Sequence, residues 1–201
     1  NRKNKMQAIN KLISLYQKGN IENALKLAEL LKNKNPKIAK VHYFLGMINS
    51  TLNKNEESLK NFTEAIDLKK NYAEAYHNKG VLLNKMGRFK ESDKEFNKAL
   101  KNKPYYAIAH KSKGDNLIDL GKYEDGIQSY TKALDLKPDF IDAKIKLIES
   151  LTFFNPKKQK KNSFVLTNNK LQDLKFNFGL NKKINDEDVI NFFQKSNKIL
   201  F

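Results

Sequence analysis

The sequence predicts an all-α protein in which pairs of helices stack into a solenoid, and three observations support this fold class. A unit of 34 residues recurs, because residues 73–106 and 107–140 share their glycine, aromatic, alanine and proline positions. Apolar residues within each unit follow the spacing of two amphipathic helices. Glycine stands in the middle of each unit and proline near its end, where the two helices are expected to stop.

Four units in register account for most of the chain. They are residues 5–38, 39–72, 73–106 and 107–140. The first unit fits the frame loosely, and the second fits better. In the second unit Asn53 replaces the mid-unit glycine, which is a mild exchange because asparagine tolerates left-handed backbone geometry.

The third unit shows how each pair of helices is predicted. Tyr76, Gly80 and Leu83 form a stripe at helical spacing and mark the first helix. Gly87 supplies the turn, and a second stripe follows it. Pro104 ends the second helix because it lacks an N–H and clashes with the preceding turn.

The sequence also predicts close helix crossings at two glycines and helix N-caps at two polar residues. Gly80 and Gly114 are predicted to lie where two helices cross closely, so that the facing aromatic side chain can approach. A bulky residue there is expected to overpack the pair by about 1–3 kcal/mol. Asn71 and Asp139 stand just before first helices and are predicted to be N-caps.

Composition limits the possible classes of protein. The 201 residues include no cysteine, which excludes disulfides and thiolate metal sites. No apolar run approaches the roughly 18 residues of a membrane span, and the first ten residues, NRKNKMQAIN, lack the apolar core of a signal peptide. We therefore expect a soluble, cytoplasmic protein without a membrane span.

The net charge of +17 is interpreted as a compositional bias rather than a nucleic-acid site. Most of the positive excess lies in residues 1–38 and 155–201, and the lysines are mixed with asparagines on every predicted helix. A nucleic-acid binder would need about 6–10 phosphate contacts on one face. No specific nucleic-acid binding is predicted.

The sequence predicts no enzyme. His42, His77 and His110 stand about one unit apart, whereas metal ligation needs nitrogens within about 2.1 Å of one ion. There is no HExxH, phosphate-binding loop or GxSxG motif. No catalytic residue, cofactor or metal site is expected. His42 and His110 are predicted to fill packing positions, and His77 to lie on a surface that meets a ligand.

The repeating unit resembles the tetratricopeptide repeat in its length and in five positions. It is 34 residues long, with small residues at positions eight and twenty, an aromatic at twenty-four, alanine at twenty-seven and proline at thirty-two. The resemblance covers residues 5 to about 154 and implies a right-handed superhelix. It also implies that residues 141–154 are the final helix that covers the last exposed face of a repeat array spanning residues 1–154. The family's tryptophan at position four is replaced here by Ala8, His42, Tyr76 and His110.

Stacked units wind around a concave groove, which is the predicted binding site for a segment of another protein. Positions two, five, nine and twelve of each first helix should line it. These positions are Met6, Ile9, Ile13, Tyr16, Lys40, Tyr43, Met47, Ser50, Glu74, His77, Val81, Asn84, Ile108, Lys111, Asp115 and Ile118. The residues predicted to contact the ligand are Tyr16, Tyr43, Met47, His77, Asn78, Val81, Asn84, Lys111 and Asp115. A groove with methionine, tyrosine and isoleucine suits a peptide with hydrophobic side chains.

Some members of the family hold a chaperone's C-terminal carboxylate in a clamp of lysine, asparagine and arginine. Asn78 matches the middle element of that clamp. The preceding unit offers Tyr43 and Met47, however, and the following unit offers Ile108 and Ser112. The clamp is therefore incomplete, and binding of a chaperone tail is not expected.

The last part of the chain leaves several alternatives open. Residues 155–163 are predicted to be a basic linker and residues 164–201 a helical extension with much apolar surface. That extension is expected to dock on the array, where it could fill the groove, or on a neighbouring domain or subunit. Self-association through the terminal helices is a further possibility. Because the sequence starts with Asn1, it is also interpreted as the N-terminal recognition part of a longer glycosyltransferase, sulfotransferase or oxygenase.

Overall fold

The computed structural model describes residues 2–153, and all regular structure within that range is α-helical. The helices are α1 (Arg2–Gln17), α2 (Ile21–Lys34), α3 (Ala39–Thr51), α4 (Asn55–Leu68), α5 (Ala73–Lys85), α6 (Phe89–Asn102), α7 (Ala107–Asp119), α8 (Tyr123–Leu136) and α9 (Ile141–Phe153). Four pairs and one further helix follow one another, so the predicted all-α class is confirmed. None of the helices in the described part is long and apolar enough to cross a membrane.

The chain divides into two units, Asn1–Phe154 and Asn155–Phe201. The described residues belong to the first unit. The predicted linker at 155–163 and the predicted extension at 164–201 lie outside the described residues.

The turn inside each pair uses left-handed backbone geometry, as the sequence predicts. Gly19, Gly87 and Gly121 have φ angles of 71°, 74° and 72°. Asn53 takes the same place in the second pair with φ 57°, so asparagine does substitute for glycine there. The residue after the turn then donates its backbone N–H to a carbonyl near the end of the first helix. Arg88, for example, donates to the Leu83 carbonyl oxygen at 2.9 Å.

Within each of the later pairs, a glycine of the first helix lies against a buried aromatic ring of the second. The contacts are Gly46 with Phe62, Gly80 with Phe96, and Gly114 with Tyr130. A Cβ atom at Gly114 would lie 2.5 Å from the Tyr130 ring, which is closer than real Cβ contacts. The absence of a side chain therefore sets how closely the two helices approach.

In the first pair the larger of the two facing side chains lies on the first helix and the smaller on the second. Leu12 occupies the glycine position, and Ala28 occupies the aromatic position. Both are fully buried in one hydrophobic cluster with Val41 and Leu45. A large side chain on the first helix is thus matched by a small one on the second, which conserves volume across the contact.

A buried hydrogen bond fixes the same crossing in two of the pairs. Ser58 Oγ donates to the Gly46 carbonyl at 2.7 Å, and Ser92 Oγ donates to the Gly80 carbonyl at 2.8 Å. These serines are fully buried. Since a buried hydroxyl without a partner is costly, the two bonds hold the helices in one register.

The pairs stack so that first helices lie closer together than second helices. Within the described residues, α1, α3, α5 and α7 each contact the next first helix, with α9 as the last of the series, whereas α2, α4, α6 and α8 do not contact one another. Each second helix packs instead against the first helix of the following pair. Because the first helices touch one another and the second helices do not, the stack curves with the first helices on its inner side.

The predicted N-caps Asn71 and Asp139 are wrong. The N-cap of α5 is Tyr72, without a side-chain cap bond. Phe140 likewise precedes α9, and its carbonyl accepts from the Lys144 N–H at 3.1 Å. At α5 the Tyr72 ring lies 5.1 Å from the ring of Tyr43 on α3, so this place contributes a packing contact instead of a capping hydrogen bond.

We expect Gly114→Ala to destabilise the protein by about 1–2 kcal/mol. The added methyl group overpacks the Tyr130 ring at a cost of about 1–3 kcal/mol, which exceeds the gain of about 1 kcal/mol from alanine's helix propensity. Urea unfolding followed by circular dichroism measures the difference.

Gly126→Ala is the matched control, because it lies within helix α8. It lies at the same crossing but faces no ring. Its Cβ would lie 2.7 Å from Ile118 Cδ1, the end of a flexible side chain that can move aside, and 3.2 Å from the Gly114 carbonyl oxygen, a separation that a shift of a few tenths of an ångström relieves. The control should lose less than about 1 kcal/mol. Equal losses in the two variants would contradict the assigned role of the glycine–aromatic contact.

Candidate functional site

A hydrogen-bonded network of neutral side chains joins three first helices on the inner face. Asn78 of α5 donates from Nδ2 to the Tyr43 hydroxyl at 2.7 Å and to Met47 Sδ at 3.0 Å. Its Oδ1 lies 3.1 Å from His77 Nδ1. His77 Nε2 in turn lies 3.0 Å from Ser112 Oγ on α7. Four of the predicted binding residues are therefore in mutual contact.

The network fixes the protonation state of its histidine. Since Asn78 Oδ1 accepts, His77 Nδ1 carries the proton and Nε2 accepts from the Ser112 hydroxyl. The His77 side chain is only 6% exposed, and burial lowers its pKa to about 4. Burial also raises the pKa of Tyr43 to about 12. The network is therefore uncharged at neutral pH.

Aromatic rings of the residues that precede α5 and α7 cover the network from one side. The Tyr72 ring centroid lies 5.1 Å from that of Tyr43, and the Tyr106 centroid lies 5.2 Å from that of His77. These rings exclude water from the polar groups beneath them. The exclusion explains the direction of both pKa shifts.

Two other predicted residues, Lys111 and Asp115, form a charged cluster further along the face. Lys111 Nζ lies 3.0 Å from Asp115 Oδ2 and 2.6 Å from Asp142 Oδ2, and Tyr130 donates to Asp115 Oδ1 at 2.8 Å. Burial lowers the pKa of Lys111, but the bonds to Asp142 and Asp115 outweigh it, so the pKa is raised. The lysine is held by two carboxylates and stays charged.

Asn84 and Val81 occupy the middle of the face on α5. Asn84 Nδ2 donates to Asn116 Oδ1 at 3.0 Å and to Asp119 Oδ2 at 2.9 Å. Val81 is 42% exposed, and Ile108 of α7 is 50% exposed. Among the predicted groove positions, these two offer apolar surface beside side chains whose polar groups are already paired.

The N-terminal end of the face differs from the rest. Tyr16 packs edge-on against Phe44 with ring centroids 5.7 Å apart, and Ile9 is buried in the core cluster of the first two units. Phe44 stands where Asn78 stands one unit later. The polar network consequently has no counterpart between α1 and α3.

Sequence reasoning missed Ser112 and the ring positions of Tyr72 and Tyr106. Ser112 and Asn78 occupy the same position, the sixth, in successive units. A polar residue recurring at that position was the available signal, because side chains one unit apart on neighbouring first helices lie close together.

The other two histidines, His42 and His110, each bond to a backbone carbonyl before their own helix. His42 Nε2 lies 2.7 Å from the Pro36 carbonyl, and His110 Nε2 lies 2.9 Å from the Pro104 carbonyl. In each case the histidine ties a first helix to the loop before it. Among residues 2–153, no group of three or more histidine, aspartate or glutamate side chains is arranged to hold a metal ion.

Comparison with protein-family models identifies the repeats. Residues 51–87 match the description "TPR repeat", and residues 73–106 and 112–140 match "Tetratricopeptide repeat". A search of curated proteins finds no significant match.

Several solved structures share the fold. PilF from Pseudomonas aeruginosa is 15% identical with a TM-score of 0.73, covering 96% of this chain and 86% of that one. MamA from Desulfovibrio magneticus RS-1 is 17% identical with a TM-score of 0.67, covering 95% and 96%. The first TPR of Spaghetti (RPAP3), bound to the HSP90 peptide SRMEEVD, is 20% identical with a TM-score of 0.56, covering 57% and 91%. At these identities the likeness establishes an all-α repeat solenoid and no partner.

We expect His77 to make the protein less stable in mild acid. The pKa of His77 lies near 4 in the folded state and near 6.5 when unfolded, so only the unfolded chain takes up the proton between these values. The associated stability is fully present above about pH 6.5 and is lost as the pH falls toward 4, by up to about 3 kcal/mol.

Urea unfolding at a series of pH values measures this loss. His77→Gln keeps a neutral hydrogen-bonding side chain that does not titrate, so its stability should fall less steeply over the same range. His110→Gln is the control, because His110 is less buried and its pKa is lowered less by burial. A His77→Gln profile parallel to that of the unsubstituted protein would contradict the assignment.

Proposed function

Because residues 51–140 are a segment of tetratricopeptide repeats, we propose that this protein is an interaction scaffold whose inner face binds an extended or helical segment of another protein. The observation that carries the proposal is the exposure of Val81 and Ile108 on that face, beside polar groups that are already bonded to one another.

Curvature provides the space for such a ligand. Contacts between successive first helices bring α3, α5 and α7 together on the inside of the array. A surface formed by several parallel helices presents side chains from each, which suits a peptide lying across them. The predicted groove residues of all three helices would then meet one ligand.

Apolar contact would supply most of the affinity. Val81 and Ile108 expose large fractions of their side chains, whereas the neighbouring Asn84 directs its amide group to Asn116 and Asp119. Burial of apolar surface contributes about 25 cal/mol per Å². A ligand with a hydrophobic side chain at this place gains that contribution without breaking the polar network.

The bonded network would act as a rigid floor beneath the ligand. Both N–H groups of Asn78 are used by Tyr43 and Met47, and both ring nitrogens of His77 are used by Asn78 and Ser112. Side chains that are already ordered lose little entropy on binding. Of the donors in the network only the Tyr43 O–H is left, since that oxygen accepts from Asn78. A C-terminal carboxylate needs several donors, which argues for an internal segment as the ligand.

We expect Val81→Asp to weaken binding of a groove ligand about tenfold or more, since a charge replaces the apolar contact. A dodecapeptide selected from a random display library against the whole chain serves as the probe. Isothermal titration calorimetry then measures its affinity for each variant.

Leu68→Asp is the matched control, because Leu68 is an exposed apolar residue on a second helix with the same 42% exposure as Val81. It should change the affinity less than about twofold. Selected peptides that lack hydrophobic residues, or that bind the Val81→Asp variant undiminished, would refute the proposed role of the inner face.

A further inference from the structure

The outer face of the array contains a cleft between the second helices α4 and α6, with α5 as its floor. Its volume is about 430 Å³, within the usual range of about 300–1,000 Å³ for ligand sites. Lys79 and Leu83 of α5 line it. Residues two apart on a helix point in nearly opposite directions, so this cleft lies on the side of α5 opposite Val81 and the inner face.

The side chains that line the cleft carry more positive than negative charge. Arg88 forms a two-pronged bond with Glu91, at 2.7 and 2.8 Å. Lys60, Lys79 and Lys94 also line the cleft, and none of them forms an ion pair with a described residue. The lining thus has four basic and three acidic side chains, an excess of one positive charge, and its three ammonium groups are not held by a carboxylate of the described residues.

Glu95 adds a buried acceptor to the same cleft. The residue is 8% exposed, and its Oε1 accepts from Lys98 Nζ at 2.9 Å. Its Oε2 is buried and has no hydrogen-bond partner among residues 2–153. An unbonded buried carboxylate oxygen is costly, so this atom marks a place where a donor is missing.

The next unit lacks this feature. Ser129 stands in the place of Glu95, and its hydroxyl donates to the Asp125 carbonyl at 2.9 Å within its own helix. The preceding unit has Asn61 in this place, and its Oδ1 is likewise buried without a hydrogen-bond partner among residues 2–153. The cleft between α4 and α6 differs in that its open acceptor is a charged carboxylate oxygen.

We propose that this cleft is a second binding site, which takes an acidic segment of a partner protein. Carboxylates of that segment pair with Lys60, Lys79 and Lys94, and a backbone N–H or hydroxyl group donates to Glu95 Oε2. The site is separate from the proposed inner-face site and binds a ligand of different chemistry.

An acidic peptide fits better than a nucleic acid. Glu95 Oε2 needs a hydrogen-bond donor, which a backbone N–H of a peptide supplies and an ionised phosphate group does not. No aromatic ring lines the cleft on which a base would stack. A peptide supplies both the carboxylates and the N–H donors, and the net charge of +17 raises its rate of association.

A fluorescein-labelled dodecapeptide of alternating serine and glutamate is the probe, measured by fluorescence anisotropy against the full chain at about 50 mM salt. We expect the double variant Lys60→Glu with Lys94→Glu to bind at least about tenfold more weakly. The matched control reverses the same number of charges on exposed residues, Lys11→Glu with Lys18→Glu, at the first helix, which contacts only α2 and α3 among the described helices. It should change the affinity less than about twofold.

Glu95→Gln tests the buried acceptor separately. In this variant Lys98 would donate to the amide oxygen of the introduced side chain, so the amide nitrogen takes the place of Oε2. That nitrogen is a donor and cannot accept the hydrogen bond that the ligand donates to Oε2. Peptide binding should weaken about fivefold or more while the unfolding midpoint stays unchanged. Unchanged peptide binding in this variant would overturn the proposal.

The remaining outcomes separate the cleft from diffuse charge and from the inner face. Equal losses in the two charge-reversed doubles would mean non-specific attraction and would overturn the proposal, as would stronger competition by oligouridine than by unlabelled peptide. Val81→Asp should leave binding of the acidic peptide unchanged. A failure of the inner-face site is thereby distinguished from a failure of the cleft.

Discussion

The contact between a first-helix glycine and a second-helix aromatic ring is the constraint on which the rest of the array depends. Gly46, Gly80 and Gly114 admit rings that a Cβ atom would displace, and serine hydroxyls bonded to two of those glycine carbonyls hold the same crossing. The pair therefore behaves as one rigid block. Leu12 and Ala28 fill the same place in the first pair with the sizes reversed, and there α1 and α2 approach each other less closely than the helices of the later pairs do.

The stacked helix pairs present two different surfaces. We call the side formed by the first helices the narrow side and the side formed by the second helices the wide side. On the narrow side the first helices touch, so a side chain such as Asn78 reaches Tyr43 of the unit before it, while its neighbour His77 reaches Ser112 of the unit after. On the wide side the second helices do not touch, and a cleft opens between α4 and α6. The inner network and the outer cleft thus have one geometric origin.

Periodicity predicted what is local to a unit and missed what depends on two units at once. The helix pairs, the left-handed turn at Asn53 and the glycine–aromatic contacts follow from positions within one unit. The N-caps failed because Tyr72 packs on a ring of another first helix, and that contact has no local signal. For the candidate site, periodicity selected the face, but the partners of Asn78 and the burial of His77 come from neighbouring units. That Glu95 Oε2 lacks a donor among the described residues is likewise not revealed by any spacing.

The two proposed sites differ in the state of their polar groups, and this difference determines what each would recognise. On the inner face the amides and the imidazole are bonded to one another, so apolar surface at Val81 is what remains for a ligand. In the cleft the ammonium groups and Glu95 Oε2 lack partners, so charge and hydrogen bonding remain. Because α5 contributes to both, with Val81 on one side and Lys79 on the other, one helix would connect a hydrophobic segment and an acidic segment, and neither would block the other.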